Sequence, residues 1–293
     1  MSTPADTANG LDGGGFGVLA FHGADSAKFL QGQLSADMEK LARGASTLAG
    51  LHNPQGRVIA LLGVVRTSAE EFLAALPLEL VEPVAQRLRK YVLRAKVRIE
   101  IPGPTLQVYG VEAGARIAEI SEIAWADRRL LLVPVGHERY GAPGAEAERW
   151  TLADLRAGMP QVYAATSEQF VAQMLNLDLL GAIAFDKGCY TGQEVVARAH
   201  YRGRVKRRMQ RWLNPSGSEL RPGDAARGPD GRALTVVRAG PRDAGGQEVL
   251  AVGNYAATAE EGAPPVVAPA ATTDSGAGIV VGGPLPLPYS LPE

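Results

Sequence analysis

The stretch from Leu78 to Leu93 constrains the fold most. Its apolar residues Leu80, Val81, Val84, Leu88, Tyr91 and Val92 recur at helical spacing, with Gln86, Arg87, Arg89 and Lys90 between them. One face is then apolar and the other charged, which predicts a surface helix laid on a core. Pro83 is tolerated in a first turn, so the helix is expected to start a few residues after Leu78. The chain on either side is strand-like. Gly17 to His22, Leu48 to Leu51, Arg57 to Arg66 and Glu71 to Leu76 precede the helix. Val97 to Ile101, Leu106 to Tyr109, Ile117 to Ile123 and Leu130 to Val135 follow it. Asn53-Pro54-Gln55-Gly56 places Asn, Pro and Gly where a type I turn favours them, which suggests a hairpin. Strands interrupted by one amphipathic helix imply an α+β architecture.

Shorter helices are expected elsewhere. Phe29, Leu30, Gln33 and Leu34 follow Gly23-Ala24-Asp25-Ser26 at helical spacing, with Asp25 or Ser26 as N-cap. Trp150 to Ala157, ended by Gly158 and Pro160, reads as a helix, and so does Ser167 to Leu175 with Ser167 as cap. The character changes after Arg204. Val205 to Leu213, Ala233 to Ala239 and Glu248 to Val252 are short strands punctuated by Gly, Pro, Asp and Asn, which predicts a small all-β barrel or sandwich. Residues 1–15 read as disordered and Ala256 to Gly278 as a loose loop. Ile279 to Val281 reads as a last strand and Pro284 to Glu293 as an extended tail. At 293 residues the chain points to about two or three domains.

The chemistry concentrates in Lys187-Gly188-Cys189-Tyr190-Thr191-Gly192-Gln193-Glu194, which holds the single cysteine. Thr191 and Glu194 form a capping-box pattern before the apolar Val195, Val196 and Ala197, so a helix is expected to start at Thr191. Cys189 would lie just outside it. Backbone N–H groups and the positive end of the helix dipole then favour a thiolate, and Lys187 could add a full charge. Gly188 and Gly192 allow a tight turn or the close approach of a ligand. The competing reading makes Cys189 a small apolar residue at a packed junction.

Charge is the second feature. Arg198, Arg202, Arg204, Lys206, Arg207, Arg208 and Arg211 fall in one stretch with His200 and no acid between them, while the whole chain has net charge −1. Any attraction to a polyanion must therefore be local. An RNA backbone, a polycarboxylate cofactor tail or an acidic partner would suit this stretch, and so would a solvated face paired with acids from elsewhere.

Other signals are weaker. His22, His52, His137 and His200 match no metal-ligand spacing, and one cysteine cannot hold an iron–sulfur cluster in the usual way, so no metal site is expected. A Cys–His couple with His200 or a distant histidine stays open. Trp125, Trp150 and Trp212 read as core residues or as stacking faces for a flat heterocycle. One cysteine leaves no intramolecular disulfide. No leader pattern and no bilayer-length apolar run is present, so a soluble cytoplasmic protein without a membrane partner is expected.

Lys187 to Glu194 resembles the signature of the YgfZ family of folate-binding proteins, related in fold to the aminomethyltransferase of the glycine cleavage system. Gly23-Ala24-Asp25-Ser26 through Phe29-Leu30-Gln31-Gly32-Gln33 resembles that family's N-terminal helix. Asn53-Pro54-Gln55-Gly56-Arg57 resembles its hairpin, and Pro286-Leu287-Pro288-Tyr289-Ser290-Leu291 its closing segment. These matches keep their order over almost the whole chain.

The resemblance implies two interlocked α/β regions, 16–50 with 140–204 and 51–139, then a C-terminal β-barrel with its tail at 205–293, around a folate-sized cavity. It implies tetrahydrofolate or another reduced folate as cofactor and a role in assembly or repair of iron–sulfur proteins, one client class of which modifies tRNA. Cys189 is the key position. Trp150 matches one of two tryptophans that flank the folate, and Phe16 stands where the other is expected. The paired-acid segment of the methyltransferases is replaced by Val58-Ile59-Ala60-Leu61-Leu62, without a carboxylate to serve as acid or base. The expectation is a folate-binding assembly factor in which Cys189 engages a client, a persulfide or a cluster iron. In that reading Arg198 to Arg208 attract the folate tail or the client. The rivals are a tetrahydrofolate-dependent one-carbon transferase and an RNA-binding accessory to tRNA modification.

Overall fold

The computed structural model describes residues 11–12, 15–112, 120–137, 147–202, 205–242, 244–255 and 279–292. Its first part holds β1 (Leu11–Asp12), β2 (Phe16–His22), α1 (Ser26–Gln33), β3 (Ser46–His52), β4 (Val58–Arg66), β5 (Glu71–Pro77), α2 (Leu78–Arg89) and β6 (Arg98–Glu100). Then come β7 (Leu106–Glu112), β8 (Ser121–Trp125), β9 (Arg128–Pro134), α3 (Ala147–Arg156) and α4 (Gln193–Tyr201). The last part is β10 (Arg207–Asn214), β11 (Ala225–Arg227), β12 (Ala233–Pro241), β13 (Gln247–Asn254), β14 (Ile279–Val280) and β15 (Gly282–Leu285). The α+β class expected from the sequence is what these elements form.

Three sheets result, in the orders β3-β4-β5-β2-β6, β1-β7-β9-β8 and β14-β11-β12-β13-β10-β15. The first is buried on both faces. Side chains alternate along a strand, so Leu19 and Phe21 of β2 join the core under α1 and α2. Val18 and Ala20 join a second core, shared with Ile123, Trp125, Leu130 and Leu132 of the four-stranded sheet. The two sheets approach closely at Gly63 of β4, where a Cβ would stand 2.7 Å from Ile123. The strands do not divide at 50/51, because β3 runs through that point and hydrogen-bonds to β4.

α2 buries Leu80, Val81, Val84, Ala85 and Leu88 as its spacing predicts. It starts at Leu78, earlier than expected, and carries Pro83 inside. Pro83 lacks the N–H that would bond to the Glu79 carbonyl, and burial of the apolar face offsets the loss. Ser167 to Leu175 is not a continuous helix. Two 3₁₀ turns, Ala164–Thr166 and Ala172–Leu175, stand there instead. The Ser167 hydroxyl donates across to the Ile59 carbonyl at 2.8 Å rather than capping, and Glu168 takes φ +62°.

The six-stranded sheet curls. Its edge strands β14 and β15 are separated in sequence by Val281 alone, so its two edges lie within about 7 Å of each other there. That is the barrel-like end predicted for the C-terminal part. The tail beyond it folds back, where the Tyr289 hydroxyl donates to the Gly158 carbonyl at 2.8 Å. A Cβ on Gly158 would stand 2.8 Å from the Tyr289 ring. No helix among the described residues is long and apolar enough to cross a membrane.

Candidate functional site

Sequence motifs far apart in the chain meet at Cys189. The segment before it runs along the end of α1. The Ala184 N–H donates to the Ser35 carbonyl at 2.9 Å, and the Ser35 hydroxyl donates to Ala182 at 2.6 Å. The Lys187 side chain is buried, and its ammonium donates to the carbonyls of Gln31, Leu34 and Ala36 at 2.8, 2.6 and 2.8 Å. An ammonium has three donors, and all are taken. Burial pushes the Lys187 pKa down to about 8, opposed by Asp37 and Glu39. The same nitrogen stands 5.0 Å over the Tyr190 ring. Tyr190 is also buried, which pushes its phenol up to about 12.

Gly188 and Cys189, between these two buried residues, are exposed. The thiol therefore sits on the crest of a loop pinned at both feet. This corrects the expected role of Lys187. Its charge is committed to the carbonyls that follow α1, which positions the loop.

The helix after the loop also starts differently from the expectation. Gly192, at φ +83°, is the N-cap of α4, and no side chain caps it. Thr191 donates its backbone N–H to the Gly32 carbonyl at 3.3 Å. Glu194 is exposed and pairs with Arg198 at 2.6 Å. The side chain that reaches back is that of Gln193, whose Oε1 accepts from the Tyr190 N–H at 3.3 Å. The capping-box spacing therefore picked the wrong pair.

Gly192 lies on the β3–β4 turn, where a Cβ would stand 2.5 Å from the Asn53 carbonyl oxygen and 3.1 Å from Gly56. Gly56, at φ +70°, meets Val195 of α4 in the same way. The hairpin, the N-terminal helix and the cysteine motif thus form one packed unit.

His52 is a neighbour that sequence reasoning missed. It is buried beneath the motif, 5.9 Å from the Tyr190 ring. Burial drives its pKa down to about 4, against a weaker effect of the Gly50 backbone, so the ring is neutral at pH 7. Its place just before the Asn53 turn was the available signal. Cys189 has no hydrogen-bond partner among the described residues, and His200 stacks on Phe185 instead, with centroids 3.8 Å apart.

No family model matches the chain. An uncharacterized protein of Haemophilus influenzae is 35% identical over 195 residues, covering 66% of this chain and 69% of that one. The tRNA-modifying protein YgfZ of Shigella sonnei is 34% identical over 220 residues, covering 65% of this chain and 67% of that protein. The chain belongs to the YgfZ family. YgfZ of Escherichia coli K12 is 33% identical over the same share. Among solved structures, the glycine cleavage system aminomethyltransferase T of Bartonella henselae superposes with a TM-score of 0.63, covering 82% of this chain and 76% of that one. At 13% identity this shows the fold.

In this YgfZ-family chain the other predicted residues are dispersed. Trp150 is fully buried, with the Arg128 guanidinium 4.1 Å over its ring and Gly110 packed against it. Phe16 meets Trp125 edge-on at 5.3 Å. Trp150 therefore offers no open face for stacking, although its helix borders a cleft. That cleft, of about 850 Å³, is lined by α3, the β8–β9 turn, the end of β12 and Pro288 of the tail. Arg156 and Arg242, each also paired with Glu248, give it positive charge, and Glu112, Asp127 and Glu148 give it acceptors. A flat heterocycle with ring N–H donors and a carboxylate tail fits that donor set and volume.

None of the residues from 187 to 194 lines the cleft. Behind it, the Asp154 carboxylate accepts from Trp125 Nε1 at 3.0 Å and pairs with both Arg128 and Arg238, all of them buried.

The basic run divides. Arg208 is buried and bonds Asp178 through both of its terminal nitrogens, at 3.0 and 2.8 Å, so it belongs to the structure and not to a patch. Arg198, Arg202 and Lys206 are exposed and Arg207 half-buried. Arg204 lies outside the described residues. Among the described residues no three His, Cys, Asp or Glu side chains gather as a metal site.

Proposed function

We propose that this chain is a reduced-folate-binding accessory protein for the assembly or repair of iron–sulfur proteins, acting through Cys189. The observation that carries the reading is the pinned loop. Buried Lys187 and Tyr190 hold an exposed thiol outward, where a macromolecular client can reach it. A thiol that attacked a folate-bound one-carbon unit would need to line the folate site. The cleft beside α3 that we assign to folate is lined by other residues. Val58 to Leu62 of β4 are buried and apolar, which leaves that segment no carboxylate for one-carbon transfer.

Folate would sit in the cleft beside α3, with Arg156 and Arg242 facing its carboxylates and Glu112, Asp127 or Glu148 accepting from its ring donors. The relatives named as tRNA-modifying proteins suggest that a client enzyme modifies tRNA. A tetrahydrofolate titration, followed by tryptophan fluorescence and calorimetry, tests the first half. Saturable binding is expected, and none with any reduced folate would sink it. Client activity in cells that carry Cys189→Ala tests the second half. Loss is expected, and wild-type activity would remove the thiol from the mechanism.

A further inference from the structure

We propose that the C-terminal end of α4 is a docking surface for single-stranded RNA, with an unpaired base on its exposed rings and phosphates on the neighbouring cations. Phe185 and His200 stack with centroids 3.8 Å apart and planes 16° apart. Tyr201 stands edge-on to both, at 6.1 and 4.7 Å. His200 is exposed, and Tyr201 is 68% exposed. A ring of that size left in water beside two others is an unfilled stacking platform.

The charge beside it selects the partner. Arg202 and Lys206 are exposed and have no ion pair among the described residues. Arg198 is paired only with Glu194, and both side chains lie largely in solvent, so a phosphate can compete for the arginine. Lys206 lies five chain steps beyond Tyr201, at most about 18 Å, so rings and cations fall within reach of one short strand. An apolar protein client would not call for cations without counter-charges. A chain of anions with flat faces matches both features, and a duplex keeps its base faces stacked away. This surface needs neither folate nor the thiol.

The test is a fluorescence-anisotropy titration of the full chain with labelled oligouridine and with an RNA duplex, over a range of KCl. Single-strand binding is expected to weaken with salt at a log–log slope of about −2, for three phosphates. Tyr201→Ala should weaken it about tenfold at fixed salt, while Tyr201→Phe keeps the affinity. Arg202→Ala combined with Lys206→Ala should flatten the slope by about 1.4. All three side chains are on the surface, so an unchanged thermal midpoint will show that the variants fold. No binding at low salt, equal binding of duplex, or an affinity indifferent to Tyr201→Ala would each overturn the proposal. Tetrahydrofolate titrations of the same proteins report separately on the folate reading, which stands or falls without this surface.

Discussion

Lys187 donates to three carbonyls, those of Gln31, Leu34 and Ala36. Removing the ammonium with Lys187→Met would leave buried acceptors unpaired, at a cost of about 1–3 kcal/mol for such a group. We expect a loss of about 3 kcal/mol in urea unfolding and faster amide exchange from Gly188 to Thr191. Lys187→Arg should not rescue either readout, because a planar fork cannot meet three acceptors converging on one point. His52 makes a different prediction. Its folded pKa of about 4 lies below its unfolded value of 6.5, so the unfolded chain takes up the proton first as pH falls. Stability is then lost between pH 6.5 and about 4, by up to about 1.4 kcal/mol per unit. Denaturant melts of the wild type and His52→Gln should show the smaller slope in the variant, and equal slopes would assign the pH dependence to other groups.

The α4 start separates what spacing can and cannot reveal. Thr191→Ala should cost under about 0.5 kcal/mol, less than the roughly 1 kcal/mol of a working cap, since Thr191 caps nothing. Gly192→Ala should cost about 2 kcal/mol or more, because φ is +83° and the new Cβ would meet the Asn53 carbonyl at 2.5 Å. Equal losses in the two melts would restore Thr191 as the cap. Local periodicity sufficed for α2, for the β3–β4 hairpin and for β10, β12, β13 and β14 of the curled sheet, because neighbours in sequence decide them, and it missed the short edge-side strands β11 and β15. The site was legible as a motif and not as an arrangement. Lys187 finds its acceptors 151 to 156 residues away, and the contact that demands Gly192 comes from the hairpin. Trp150, for which the core and stacking readings both stood, and Arg208, counted with the basic run, could not be placed for the same reason. Whether a tryptophan faces a ligand or the core, and whether an arginine faces water or Asp178, depends on chain remote in sequence.

At the scale of the molecule the thiol and the cleft belong to different parts of the fold. The Cys189 loop packs on α1 and on the hairpin of the five-stranded sheet. The cleft draws its walls from α3, the four-stranded sheet, the curled sheet and the tail. Binding and thiol chemistry should therefore separate in mutants more than 7–10 Å apart, where effects add. Cys189→Ala is expected to leave the tetrahydrofolate Kd within about twofold, and Arg242→Ala to raise it about tenfold, the worth of one charge-assisted hydrogen bond of about 1.5 kcal/mol. Alkylation of Cys189 by a small thiol reagent should proceed at the same rate in Arg242→Ala as in the wild type. A folate affinity that falls with Cys189→Ala, or folate that shields Cys189 from the reagent, would place the sulfur at the folate. The one-carbon transferase reading would then displace the assembly factor. Independent behaviour of the two variants would instead make folate a ligand that acts on the client encounter through the fold, because none of the residues lining the cleft belongs to the motif.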